Sequence, residues 1–342
     1  MDRAADFKTS HYPRRLLINP DQERLTSPTV ESAAMPGLGF RLLVISAAVA
    51  GWALVAVGGV VRVTASGLGC PRWPLCTSKA IPLEQKASVI EYSHRAVVAL
   101  VSVLAAAVAL WAWRSYRARR DIVWPALLAV VLVPFQALLG AVAVWLELPG
   151  WVVAFHFVLG LLFLATLVLA ASAAWQRGEP SATLGFARLA AASVLFGLAL
   201  VSVGAAVVAT EAGDACGTQW PACNGGFAAG GGHAGLQVAH RMLAYTVAAL
   251  ALALIVLALR GQGPRLAGSL PFLAVLVQIG FGIAIVVVGG EGRTHEILAG
   301  LHVGGAGAVW ASLVALAALT RPARRAARAP ALTVPIPVPA DR

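Results

Sequence analysis

EYSHRAVVALVSVLAAAVALWAW, from Glu91 to Trp113, and QVAHRMLAYTVAALALALIVLAL, from Gln237 to Leu259, decide the fold of this chain. Each segment begins with a polar turn that carries a histidine and continues as a long uncharged run. The two segments are 146 positions apart, and other residues recur at the same offset. Cys70, His94 and His156 return as Cys216, His240 and His302. The agreement predicts two copies of one site-bearing unit.

The composition indicates where these units lie. Hydrophobic residues make up 59% of the chain and charged residues 12%. Apolar runs of about 20 residues recur, which is the length that a helix needs to cross a bilayer. They do not alternate as barrel strands do, and helices satisfy their own backbone in lipid. Eight spans are predicted, at 38–62, 89–113, 122–146, 151–175, 186–209, 235–260, 267–290 and 297–320.

The distribution of basic residues predicts the orientation of these spans. Nineteen of the 26 lysines and arginines lie in the two tails or in the turns that an even number of spans places on the same side. Such turns usually face the cytoplasm. The formal charge of +11 is then explained by an anionic inner leaflet, without a nucleic-acid partner. The sequence therefore predicts a multi-pass membrane protein with both termini on the cytoplasmic side.

Four spans separate the copies, so both copies run through the membrane in the same direction. We expect an all-α membrane protein built as two parallel-repeat four-helix bundles. The predicted boundaries are 1–37 for a cytoplasmic N-terminal tail, 38–175 for the first bundle, 176–185 for a cytoplasmic linker, 186–320 for the second bundle and 321–342 for a cytoplasmic C-terminal tail.

All four cysteines fall in two loops, 63–88 and 210–234, which the orientation places outside the cell. In that oxidising compartment Cys70 with Cys76, and Cys216 with Cys223, can each close a short disulfide. A structural disulfide that stabilises each loop is the first interpretation. A thiol relay with an external partner, metal binding and free thiols are the alternatives, and the spacing does not match a CxxC redox motif.

The four repeated histidines predict two haem sites. His94 and His156 each lie about six residues into a predicted span, on the order of 8 Å below the outer boundary, and His240 and His302 repeat the arrangement. Two imidazoles at equal depth can bind a haem iron from opposite faces. The alternative is a hydrogen bond to a neighbouring helix, but four matched ionisable side chains in lipid favour a functional role.

Three further residues extend the haem hypothesis. Arg95 and Arg241 follow a predicted ligand in both copies and could bind haem propionates, the alternative being side chains that reach up to the interface. Glu91 precedes His94 by one turn, and its counterpart is Gln237. A carboxylate can accept a proton and an amide cannot do so comparably, so the chemistry is predicted in the first copy. The alternative for Glu91 is a favourable charge at a helix start.

The residues now quoted carry a family resemblance. VRVTASGLGCPRWPLC from Val61 to Cys76, the Glu91-x-x-His94-Arg95 motif and the second-half histidines and cysteines resemble haem A synthase of the cysteine-bearing bacterial type, a family that includes mitochondrial members. The resemblance covers roughly residues 38–320. It implies oxidation of the C8 methyl of haem O to a formyl group, giving haem A, through successive hydroxylations with water as oxygen source.

The resemblance also implies roles for residues of this chain. His94 and His156 are the implied ligands of the substrate haem, Glu91 is the required acid, and His240 and His302 are the implied ligands of haem b. The implied partners are haem O, membrane lipid, haem O synthase, an electron acceptor and thiol-disulfide exchange proteins. The main alternative is a di-haem b cytochrome that moves electrons between quinol and an acceptor. A membrane thiol oxidase would leave the four histidines without a role, and a haem transporter or chaperone would bind haem in the first half and release it unchanged.

Overall fold

The structure is a computed structural model that describes residues 35–74, 76, 85–176, 182–223, 226–227, 231–289 and 292–320. The predicted tails, apart from 35–37, and positions 177–181 of the predicted linker lie outside these ranges. All long elements of the described chain are helices, so the all-α class is confirmed.

The described residues contain eight α-helices, and each is long and apolar enough to cross a membrane. They are α1 (Leu38–Val63), α2 (Lys86–Ser115), α3 (Arg120–Trp145), α4 (Gly150–Trp175), α5 (Leu184–Ala209), α6 (His233–Leu259), α7 (Arg265–Val288) and α8 (Arg293–Leu319). A single 3₁₀ turn, Ala212–Asp214, follows α5 among the described residues.

The eight helices correspond to the eight predicted spans, with differences at their ends. The helix α2 begins three residues before its predicted span, at Lys86, and α8 begins four residues before, at Arg293. The apolar pattern marks where a helix meets lipid, whereas the backbone helix continues into its polar first turn. Local capping sets other ends: Thr183 accepts a hydrogen bond from the backbone N–H of Phe186, which starts α5 at Leu184.

Each half of the chain closes a ring of four helices. In the first half, contacts join α1 to α2, α2 to α3, α3 to α4 and α4 back to α1; the second half repeats this order from α5 to α8. Further contacts join α8 to α1, α8 to α4 and α4 to α5, so the described helices form one compact unit. The division into two parallel-repeat bundles therefore stays a prediction, supported by the two rings.

Glycines bring α1 and α8 close together where the two halves meet. A Cβ added at Gly59 would lie 2.6 Å from Cγ1 of Val303, and one at Gly304 would lie 3.3 Å from Cβ of Ala56. Small residues at helix crossings let apolar helices approach closely in a membrane. This contact places the second half against α1 beside His302.

Candidate functional site

The two histidines of the first ring of helices lie at positions equivalent to those of the two histidines in the second ring. His94 and His156 lie on α2 and α4, which are opposite rather than adjacent in the first ring, and His240 and His302 lie on α6 and α8 in the second. The ring centres of His240 and His302 are 6.5 Å apart, with 69° between the ring planes. Opposite helices thus direct paired imidazoles toward the interior of the same ring.

The separation of the second pair fits a shared haem iron. An imidazole nitrogen binds a metal at about 2 Å, and the ring centre lies roughly 1 Å behind that nitrogen, so two rings on one iron have centres about 6 Å apart. The observed 6.5 Å agrees with this spacing. The separation of His240 and His302 is therefore compatible with both imidazoles holding one haem iron.

Each imidazole packs against a glycine on the preceding helix. An added Cβ at Gly204 would lie 2.9 Å from Cε1 of His240; the other three pairs show the same contact at 3.3 to 3.4 Å. The remaining pairs are Gly58 with His94, Gly140 with His156 and Gly282 with His302. Because glycine has no side chain, each of these four residues leaves room for an imidazole ring and restricts its orientation. We call these four glycines the slot glycines, and the space that each leaves for a ring a glycine slot.

Nδ1 of each of the four histidines is buried and makes no hydrogen bond to the described part of the chain. The His240 ring nevertheless approaches the carbonyl of Leu200, and the His302 ring approaches that of Gln278. Each carbonyl belongs to the residue four positions before the slot glycine of its helix. A metal-binding histidine commonly directs its second ring nitrogen toward such a carbonyl, which leaves Nε2 for the metal.

Two half-buried glutamines hold the backbone at His156 and His302. Nε2 of Gln136 donates to the carbonyl of His156 at 3.1 Å, and Nε2 of Gln278 donates to that of His302 at 2.8 Å. The sequence contains a signal for this feature: Gln-x-x-x-Gly occurs at 136–140 and again at 278–282. The second copy is displaced by four residues from the common offset, and the glycine and backbone contacts were not anticipated from the sequence.

Glu91 is buried beside His94, with 6% of the residue exposed. Its Oε1 accepts a hydrogen bond from Nε of Arg95 at 2.9 Å. In the second half Gln237 is equally buried, but its Nε2 donates to the carbonyl of Gly213 at 2.6 Å. The acid and the amide are thus bound differently, although they occupy equivalent positions.

The arginines that follow the first histidine of each pair bind the cysteine loops. Arg95 donates from Nη1 to the carbonyls of Arg72 and Pro74, at 2.7 and 3.3 Å, and from Nη2 to that of Cys70 at 3.0 Å. Nη1 of Arg241 donates to the carbonyls of Gln219, Pro221 and Ala222, at 2.8, 3.4 and 2.7 Å. Both guanidiniums thus donate hydrogen bonds to loop carbonyls. The sequence predicted only a contact with haem propionates for these arginines.

The cysteines of each loop lie at bonding distance from each other. The pairs are Cys70 with Cys76, whose Cα atoms are 4.3 Å apart, and Cys216 with Cys223, at 5.0 Å. The carbonyls that bind Arg95 lie within the segment that the first pair closes, and those that bind Arg241 lie within the second. Each disulfide therefore encloses the part of the loop that contacts α2 in the first half or α6 in the second.

These features define a class: a multi-pass helical membrane protein with paired histidines suited to haem iron. Residues 41–89 and 84–314 match the model of the COX15-CtaA family, cytochrome oxidase assembly protein. The chain is 33% identical to haem A synthase of Halalkalibacterium halodurans over 68% of this chain and 82% of that protein. It is 34% identical to haem A synthase of Alkalihalophilus pseudofirmus, over 67% and 81% of the two chains. The chain belongs to this haem A synthase family.

Proposed function

We propose that this protein converts haem O to haem A by oxidising the C8 methyl group to a formyl group in the first half of the chain. The observation that carries the proposal is the ion pair between buried Glu91 and half-buried Arg95, one turn from His94, at a position where the second half has Gln237. The similar proteins named above are haem A synthases, and a di-haem b cytochrome, the alternative, gives Glu91 no role. The reaction is the oxidation of a CH group.

The overall change is that one CH3 group and one water give one CHO group, four protons and four electrons. Glu91 is proposed to accept protons at its carboxylate, or to stabilise positive charge at the reacting carbon. His94 and His156 are proposed to hold haem O, and their glycine slots to fix its position. We assign haem b to His240 and His302; it would supply a nearby acceptor for electrons.

The propionates of haem b are assigned to Arg241. Among the described residues, Nε and Nη2 of Arg241 make no hydrogen bond, so this guanidinium has donors left for an anion. All three nitrogens of Arg95 are engaged by Glu91 and the loop.

The proposed setting is the bacterial cell membrane, with both termini in the cytoplasm and the cysteine loops outside. Basic turns and tails support this orientation. The proposed partners are haem O synthase, an electron acceptor and thiol-disulfide exchange proteins, with membrane lipid around the helices.

Glu91→Gln tests the proposal. We expect the variant to bind haem, to accumulate haem O and to form haem A at least about 100-fold more slowly, since the amide is isosteric but cannot accept a proton comparably. The measurement is chromatography of extracted haems, together with the absorbance spectrum of the purified protein. Glu147→Gln, which removes an exposed carboxylate between α3 and α4, is the control. Normal haem A formation by Glu91→Gln would remove Glu91 from the reaction.

A further inference from the structure

We propose that Arg95 is a positioning residue that couples the disulfide-closed outer loop to Glu91, so that closure of the Cys70–Cys76 segment sets the position of the reacting carboxylate. The inference rests on the proposed function of Glu91. It assigns to Arg95 a role other than propionate binding and gives the first cysteine pair a connection to the active site.

One guanidinium makes both sets of contacts. Nε of Arg95 donates to Oε1 of Glu91, while Nη1 and Nη2 donate to the carbonyls of Cys70, Arg72 and Pro74. A guanidinium is planar and rigid, so its nitrogens cannot move independently. A displacement of the loop carbonyls therefore displaces the nitrogen that holds the acid.

The loop itself is fixed on the side that faces α2. Ser88 Oγ donates to the carbonyl of Gly69 at 2.7 Å, and a Cβ at Gly69 would overlap the carbonyl of Ala87. These contacts fix the start of the segment, and the Cys70–Cys76 bond fixes its end. The carbonyls of Arg72 and Pro74 lie between the two fixed points, so the disulfide limits how far they can move from Arg95.

A comparison with the second half supports a function for this coupling that is specific to the first half. Arg241 contacts the Cys216–Cys223 segment in the same way, but Gln237 turns to the carbonyl of Gly213 instead of the guanidinium. The loop contact thus occurs in both halves, whereas the connection from loop to carboxylate occurs only where chemistry is proposed. Loop anchoring alone does not explain this difference.

The test is a double-mutant cycle that combines Arg95→Gln with the disulfide-free variant Cys70→Ala/Cys76→Ala, measured as kcat and KM for haem O in the purified full-length protein. We expect kcat to fall by about tenfold without the disulfide and by about 100-fold with Arg95→Gln, because small misplacements of a catalytic group are costly. We expect KM to stay within about twofold. The combined variant should match Arg95→Gln alone, since both changes act through one connection.

Three outcomes would overturn the proposal. Multiplicative losses in kcat would show that the arginine and the disulfide act independently. A raised KM with unchanged kcat in Arg95→Gln would instead indicate a propionate contact. An unchanged kcat and KM in Arg95→Gln would show that the carboxylate does not need the arginine.

Two controls keep these outcomes interpretable. Arg119→Gln removes an arginine paired with Asp121 at the other end of the first ring, and its kcat should be unchanged. Arg95→Lys keeps the positive charge but loses the planar guanidinium, and its kcat should lie between those of the parent protein and Arg95→Gln. This variant replaces Arg95→Gln in the test if Arg95→Gln does not fold. The absorbance of haem b reports folding of every variant. A loss of haem A in Glu91→Gln beside a normal Arg95→Gln would reject the coupling alone, whereas normal Glu91→Gln would reject the proposed function.

Discussion

At the residue scale, the sequence indicates the candidate site side chains clearly, but it indicates few of the contacts that orient them. Four histidines related by one offset, and an acid present in one copy only, predict the site residues, and the structure directs both histidines of the second half into one ring of helices. The slot glycines have no side chain to suggest a role, and the glycine on α7 is displaced from the common offset by four residues. The loop carbonyls that bind Arg95 and Arg241 belong to the backbone, which every residue type has, so no pattern of letters predicts them.

Gly204→Ala tests the slots at this scale. The new methyl group would lie 2.9 Å from Cε1 and 3.3 Å from Nδ1 of His240, so the ring must move. We expect the affinity for the second haem to fall by about tenfold or more, as happens when groups that orient a metal ligand are disturbed. The measurement is haem b content per protein by pyridine haemochrome.

Gly185→Ala on the same helix is the matched control. A Cβ there meets nothing within 4 Å, so we expect full haem content and a stability gain of up to about 1 kcal/mol from the better helix former. Equal haem content in the two variants would show that the slot at Gly204 does not determine ligand position.

At the element scale, the third helix of each ring is hydrogen-bonded to the fourth at the histidine proposed to bind haem. The glutamines of α3 and α7 donate to the backbone of α4 and α8 at the histidine itself. The sequence predicted these helices from their apolar length but misplaced their ends by up to four residues. Hydropathy reports the lipid-facing part of a helix, whereas capping residues and loop contacts determine where it ends.

Gln278→Leu and Gln136→Leu are a matched pair of variants that test these interhelical hydrogen bonds, one in each half. Each change keeps a similar volume and removes one interhelical hydrogen bond, which contributes about 1 kcal/mol in a membrane protein. We expect Gln278→Leu to lower the temperature at which haem b is released, and Gln136→Leu to act on the haem of the first site. The measurement is thermal release followed at the absorbance of each haem. Equal effects of both variants on both sites would show that the glutamines stabilise the whole protein rather than their own site.

At the scale of the whole molecule, α8 connects the two proposed sites. Its Gly304, two residues after His302, accepts a hydrogen bond from Nε1 of Trp52 on α1 at 2.9 Å. Its Trp310 donates from Nε1 to the carbonyl of Leu161 on α4 at 2.7 Å. The repeat predicted two similar halves and gave no information on how they meet, because contacts between the halves occur only once and do not repeat.

Trp310→Phe tests whether this connection holds the halves together. The indole is 2% exposed, so the variant leaves the carbonyl of Leu161 without its side-chain partner and a space where the larger ring was. We expect a loss of about 1–3 kcal/mol, seen as a lower temperature of unfolding in detergent. Both haem spectra should be unchanged at low temperature, since the indole contacts the backbone of α4 rather than an imidazole. Trp124→Phe, at a side chain 66% exposed, is the control and should unfold like the parent protein. Equal unfolding temperatures for the two variants would mean that the glycine contacts between α1 and α8 suffice to join the halves, and that the Trp310 hydrogen bond does not contribute to their association.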